Sequence, residues 1–478
     1  MRLPIYSTTL ILLLLATAVT TAHAQTTEAR LSVVSLSPPR VRVEGSRSVA
    51  TKAWSFRNAY AGAAGLGERI ENLSLSDALG ADVPVRKLAP GEYTTERDAA
   101  KFSYEIRLDP PTSADAAAHI SWLTESRGAL MPGDLLPLPL SRARLSFKLP
   151  DGWKIASGEA ANAAGVYDLA DAESFVAFAG VDVRERAAKV RGMELRVAFA
   201  GDWAFADEEA VGVVAAILKE HARTFDAAPR KSALVVVAPL PRQSVASQWA
   251  AETRGATVLY LSGRAPSKVS ALARLGAPLA HELFHLWVPN GLGLAGDYGW
   301  FYEGFTNYQA LRASQRLGDL TFNDYLDALA RTSDAYDALK AQDTVSLLEA
   351  SSRRWSGSNT LVYHKGMLVA ALYDLRLRKA TGGKRSLDDV YRALFRRALS
   401  GARGRDGNDV VLEALEEAPG GREFTDKFVR GAQKIDLAAE LQPYGLRLDR
   451  TGARSRVTVT GSLLSSQRDL LRQIGYND

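Results

Sequence analysis

Apolar and polar positions alternate in short runs over the first third of the chain, as in Phe102, Tyr104, Ile106 and Leu108, or Leu145, Phe147 and Leu149. A period of two sends successive side chains to opposite faces and predicts half-buried strands. Turn-rich stretches such as Asp109-Pro110-Pro111 and Met131-Pro132-Gly133 separate them, and no long helical pattern intervenes between about Arg30 and Val183. The region reads as an all-β domain.

After a strand-like Leu195-Arg196-Val197-Ala198-Phe199 the texture changes. Asp207-Glu208-Glu209 opens an Ala- and Val-rich helix to about Phe225, its acidic first turn complementing the helix dipole. Ala233 to Ala238 reads as a buried strand and Ala256 to Ser262 as another. The spacing then predicts a helix over 270–288, stopped by Pro289-Asn290-Gly291, and one over 300–317, stopped by Gly318. Beyond Asp319 the chain reads as helical almost throughout, with caps at Thr321 and Ser386. From Tyr444 to Asp478 it turns strand-like and basic, too short for a domain of its own.

Hydrophobic residues at 46% and charged residues at 24% describe an ordinary globular chain. The 478 residues exceed one hydrophobic core. Lys and Arg total 59 against 54 Asp and Glu, spread along the chain, so nucleic-acid binding is not expected. Arg2, the apolar run Leu10 to Val19 and Ala22-His23-Ala24 ahead of Gln25 predict a secretory signal peptide over 1–24, an uncleaved anchor being the alternative. No other segment is long and apolar enough to span a bilayer, so the mature protein is expected to be exported, with no stable membrane insertion. High Ala and Arg usage points to a bacterial periplasmic or secreted protein. The absence of cysteine excludes disulfides and N-terminal lipidation.

The candidate chemistry lies at His281-Glu282-Leu283-Phe284-His285, which fits HExxH. Residues four apart lie on one helix face, about 6 Å along the axis, so both imidazoles reach one ion while Glu282 can hold a water against it. A catalytic zinc keeps three protein ligands and one open position, and Glu303, eighteen residues after His285, is the candidate third ligand. With 6 His in the chain, a chance HExxH is expected roughly a few times in a thousand such sequences. Here the motif also falls within an apolar helical pattern, Leu279, Leu283, Leu286 and Trp287.

These residues together with Trp300-Phe301-Tyr302-Glu303-Gly304-Phe305 resemble the gluzincin arrangement of HExxH followed by W-x-x-E-G-F, shared by aminopeptidase N and the glycyl aminopeptidases. The glycyl aminopeptidases are the nearer likeness: His281 to Trp287 runs HELFHLW, Tyr363-His364-Lys365-Gly366 matches a Tyr-x-Lys-Gly motif, and Leu372 to Arg378 matches the helix that comes after it. Gly383 to Val390 resembles the family's next helix start. The resemblance spans roughly Leu195 to Leu448. It implies one zinc per chain held by His281, His285 and Glu303, with Glu282 as general base and Tyr363 as the phenol that stabilises the oxyanion. Asn307, one turn beyond Glu303, is a candidate partner for a ligand, an exposed helix asparagine being the equal alternative.

Three departures accompany it. Where the family carries GGLEH, this chain has Trp249-Ala250-Ala251-Glu252-Thr253, so only the glutamate remains to bind a substrate's α-amino group. The strand after it, Thr257 to Leu261, is expected to hold peptide by edge pairing. Trp249 stands in place of a glycine and reshapes the pocket. A C-terminal PDZ domain, common in the family, is not expected.

The expected molecule is multidomain α+β: a signal peptide over 1–24, an N-terminal β-sandwich-like domain over 25–185, a thermolysin-like zinc catalytic domain over 186–318, a helical domain over 319–443 and a short C-terminal segment over 444–478. The expected activity is zinc-dependent hydrolysis of peptides, by an aminopeptidase acting on small N-terminal residues. A zinc endopeptidase and a catalytically idle, zinc-stabilised scaffold are the alternatives. The sequence leaves the oligomeric state open.

Overall fold

The computed structural model describes residues 25–340, 343–451 and 454–477, and the signal-peptide segment lies outside them. Its architecture is mixed α/β, built on three main sheets.

The alternating runs do form strands. Pro39–Ser55 and Glu92–Arg107 pair antiparallel at the centre of an eight-stranded sheet, with Val41 opposite Ile106 and Val43 opposite Tyr104. Phe102, Tyr104 and Ile106 are buried, as the period of two requires. A four-stranded sheet comes next, formed by Lys154–Ser157, Ala177–Gly180, Arg127–Leu130 and Trp122–Leu123.

The third sheet positions the site. Its five strands lie in the order Arg184–Val190, Met193–Phe199, Ser232–Pro239, Thr257–Ser262 and Trp249–Arg254. The three middle strands are parallel, and Ser232–Pro239 and Thr257–Ser262 are buried on both faces. Val197, Val235 and Val237 face a core shared with the helices Asp207–Phe225 and Lys268–Phe284. Leu234, Val236, Ala238, Leu259 and Leu261 pack against Trp122, Ala129 and Phe178 of the four-stranded sheet. Burial on both sides explains why Ala233 to Ala238 is an unbroken apolar run.

One expectation is corrected here. Thr257–Ser262 is buried between two neighbours and offers no free edge; the edge strand is Trp249–Arg254 itself. The hairpin returns inward, leaving its earlier arm outermost.

The HExxH helix runs from Lys268 to Phe284, with the Ser267 hydroxyl accepting from the Ser270 amide at its start. It ends four residues short of the expected Val288. Pro289 disfavours the α conformation at Val288, and the chain unwinds into turns from His285 onward. Buried His221 lies with Nε2 2.8 Å from the Ala280 carbonyl and ties this helix to Asp207–Phe225. Beyond Asp319 the helices Phe322–Asp337, Asn359–Ala380 and Leu387–Arg397 form, and Thr321 and Ser386 occupy their predicted caps.

Asp374 ties Asn359–Ala380 to Leu387–Arg397 and to the preceding helix Thr306–Leu317. It accepts from Tyr308 at 2.7 Å and from the Leu387 amide at 2.8 Å, and it pairs with Arg378 at 3.0 Å. The end of the chain departs from the strand-like reading. Only Leu446–Asp449 and Arg456–Val459 pair, and Ser465–Gln473 is an amphipathic helix that buries Leu470 and Leu471. The Ile474 carbonyl beyond it accepts from Arg312 at 2.8 Å, docking this end on the helical region.

Candidate metal centre and cleft

His281 on the last turn of its helix and His285 at the C-cap project from one face, their Nε2 atoms 3.0 Å apart. Glu303 comes from a different kind of turn. Trp300–Phe305 is π-helical before the chain settles into the α-helix Thr306–Leu317, and the wider turn aims Glu303 at the histidines. Its Oε2 lies 3.2 Å from His281 Nε2 and 3.6 Å from His285 Nε2. Among the described residues these three ligand atoms all fall within 4.8 Å of one another.

The trio fits a catalytic zinc. Donors bonded to one tetrahedral zinc at about 2.0–2.1 Å sit roughly 3.3–3.4 Å from one another, close to the separations seen here. The His285 Nδ1 lies 2.8 Å from the Val288 carbonyl; donation to that oxygen leaves the Nε2 lone pair facing its partners. Two nitrogens and one carboxylate oxygen supply three ligands and leave a fourth position open.

Charges around the trio suit it. Burial opposes ionisation of Glu303, but Arg354, with Nη2 2.7 Å from its second oxygen, and the two histidines hold its carboxyl well below the usual range. Burial favours a neutral His285, yet Glu303, Glu282 and the Val288 carbonyl outweigh it and raise its pKa to about 8. Glu282 is buried, its Oε2 2.8 Å from the Thr253 hydroxyl, which fixes where its other oxygen points. Tyr363 stacks its ring 6.2 Å from that of His281. Burial, reinforced by the Glu303 charge, raises its phenol well above 10, so it remains a proton donor.

All these groups line one cavity of about 700 Å³. Glu252 lines it as well, beside Tyr60 and His119 from the β-rich part. Tyr60 donates to its Oε1 at 2.7 Å, and His119 Nδ1 and Arg254 Nε each lie 3.0 Å from Oε2. Burial works against the carboxylate, but Arg254, His119 and Tyr60 prevail and hold its pKa down at about 2. Glu252 is therefore charged, with its charge shared. Asn307 lines the cavity but makes no hydrogen bond to the trio among the described residues.

The structure thus gathers His281, Glu282, His285, Glu303, Tyr363 and Glu252 around one cleft. Sequence reasoning missed Arg354, Tyr60, His119 and Trp355, and it quoted Thr253 without assigning it a role. The signal that could have marked Trp355 is its place within the turn-rich Trp355-Ser356-Gly357-Ser358, where a large aromatic has no core to enter.

An HExxH helix, a glutamate on the next helix and a cleft beside an edge strand, on a mixed α/β scaffold, form the arrangement a metallopeptidase requires. Comparison with known proteins agrees. The family model for the M61 glycyl aminopeptidases matches residues 294–369, a span holding Glu303 and Tyr363 but well under half of the chain. An aminopeptidase N family protein from Idiomarina loihiensis superposes with a TM-score of 0.75 at 17% identity, over 89% of this chain and 79% of that one. An M1 zinc metallopeptidase from Deinococcus radiodurans superposes with a TM-score of 0.55 at 15% identity, over 86% and 94%. A mutant of that enzyme bound to a Tyr-Ser-Ala substrate gives 0.54 at 15% identity, again over 86% and 94%. At these identities the likenesses establish a shared fold. No curated protein sequence matches the chain. The family match and the fold bear out the resemblance to gluzincin aminopeptidases and support a peptidase.

Proposed function

We propose that this chain is a zinc-dependent aminopeptidase that removes small N-terminal residues from peptides. The observation that carries this reading is the convergence of His281, His285 and Glu303, with Glu282 and Tyr363, on a cleft that also holds a charged Glu252. His281, His285 and Glu303 would hold the metal, which when bound lowers the pKa of a water and polarises the scissile carbonyl. Glu282, oriented by Thr253, accepts the attacking water's proton and returns it to the leaving amine. The Tyr363 phenol, kept protonated, donates to the oxygen on which negative charge develops. Glu252 receives the substrate's ammonium at the wall closed by Tyr60 and His119, which admits little chain upstream of the cleaved bond.

Glu282→Gln is expected to keep stoichiometric zinc yet lower kcat by about 10²-fold or more, whereas His285→Ala loses the metal itself, as elemental analysis would register. Wild-type turnover in Glu282→Gln would sink the assignment of the base. One observation favours a second reading: Arg254 already neutralises much of the Glu252 charge, which leaves room for an endopeptidase. N-acetylated peptides separate the two, because an aminopeptidase must lose them as substrates. Silence towards every free peptide, with or without a chelator, would instead fit the idle scaffold.

A further inference from the structure

Tryptophan has much to gain from burial, and most of the tryptophans here are buried or half-buried. Two are not. Trp249 keeps 45% of its surface exposed and Trp355 58%, and both line the same cavity. Large aromatics held in water at the mouth of one cleft mark surface that a ligand covers.

The two differ in what they already touch. Trp355 lies under the Arg354 guanidinium, 4.3 Å from its ring, and 6.2 Å from Tyr60, so its ring already has partners. Trp249 has no ring or cation partner among the described residues. It opens the edge strand, and the period of two places it on the same face as Ala251 and Thr253. Thr253 contacts Glu282, so this face looks onto the reacting groups. Ala277 and Pro278 of the HExxH helix complete an apolar lining nearby.

The strand sets the direction. Trp249 and Thr253 are four residues apart, roughly 13 Å along an extended strand. Glu252 is hemmed in by Tyr60, His119 and Arg254, whereas Trp249, at the first residue of the strand, is exposed. A peptide whose ammonium sits at Glu252 and whose backbone runs along the free edge away from those groups passes Trp249.

We infer that Trp249 forms the binding surface for an apolar or aromatic side chain one or two residues downstream of the cleaved bond, so that the enzyme selects peptides by the side chains at their second and third positions. This rests on the aminopeptidase reading above. The preferred substrate class is peptides with a small first residue and an aromatic or large aliphatic one directly or shortly after it.

The test compares kcat/KM of the zinc-loaded full chain on Ala-Phe-Ser-amide, Ala-Ser-Phe-amide and Ala-Ser-Ser-amide. Wild type is expected to favour at least one phenylalanine peptide over the serine peptide by about tenfold or more. In Trp249→Ala that ratio should fall to within about twofold of unity, while Trp249→Phe, which keeps a ring, retains most of it. Ratios within one preparation cancel any loss of folded enzyme. A preference that survives in Trp249→Ala, or is lacking in wild type that cleaves all three peptides, overturns this inference alone. Failure of wild type to cleave any of them overturns the aminopeptidase reading and the inference with it.

Discussion

Lys365, two residues beyond Tyr363 on the same helix, is 0% exposed, and its ammonium has no hydrogen-bond partner among the described residues. Burial lowers its pKa to about 8, against a weak opposing pull from Asp343. Because the folded value lies below the unfolded one, the charged form is penalised in full below pH 8, and the penalty is relieved as pH rises from about 8 towards 10.5. Lys365→Met is therefore expected to stabilise the protein at pH 7 by on the order of 3 kcal/mol. Urea midpoints at pH 7 and pH 10 check this, since the advantage must shrink at the higher pH; destabilisation at pH 7 would mean the ammonium has a partner. At this scale the metal trio was legible, because HExxH and the later carboxylate are set by spacing along two consecutive helices. The surroundings of Glu252 were not. Its hydrogen-bond partner Tyr60 is 192 residues away in sequence, and no local pattern announces such a contact.

Between elements, the glycines of the two motifs have a shared cause. A Cβ on Gly304 would lie 2.4 Å from the Gly366 Cα, and one on Gly366 would lie 2.7 Å from the Trp300 carbonyl oxygen. The turn carrying Glu303 and the helix carrying Tyr363 thus cross backbone against backbone, which sets the ligand and the phenol side by side. Gly304→Ala should push them apart at a cost of about 1–3 kcal/mol and depress kcat/KM about tenfold or more, beyond what its effect on the unfolding midpoint accounts for. An active, fully stable Gly304→Ala would show that the crossing can relax. Most helices and strands were legible from periodicity and caps, Thr321 and Ser386 among them. The π-helical turn at Trp300–Phe305 was not, because the apolar spacing that predicts a helix does not distinguish a six-residue widening from regular α structure. The HExxH helix was read too long for a related reason: periodicity continued through Leu286 and Trp287, while the proline at 289 governed where the backbone could turn.

At the scale of the whole molecule, the β-rich region and the helix-rich remainder were visible as a change of texture near Leu195, whereas the way the sheets stack on one another was not. That stacking joins the parts more closely than a string of independent domains. The sheet next to the HExxH helix rests its second face on Trp122, Ala129 and Phe178, residues that precede it in the chain. A fragment beginning at Arg184 would place Leu234, Val236, Leu259 and Leu261 in water as one greasy plane. It is expected to precipitate or self-associate on expression, and light scattering would register it; a monodisperse, zinc-binding fragment would contradict this. The β-rich part is thus no detachable accessory. It supplies both the floor under the HExxH half and, through Tyr60 and His119, the surroundings of Glu252 in the cleft, so a shift between the two parts would reshape the pocket there without touching a single metal ligand.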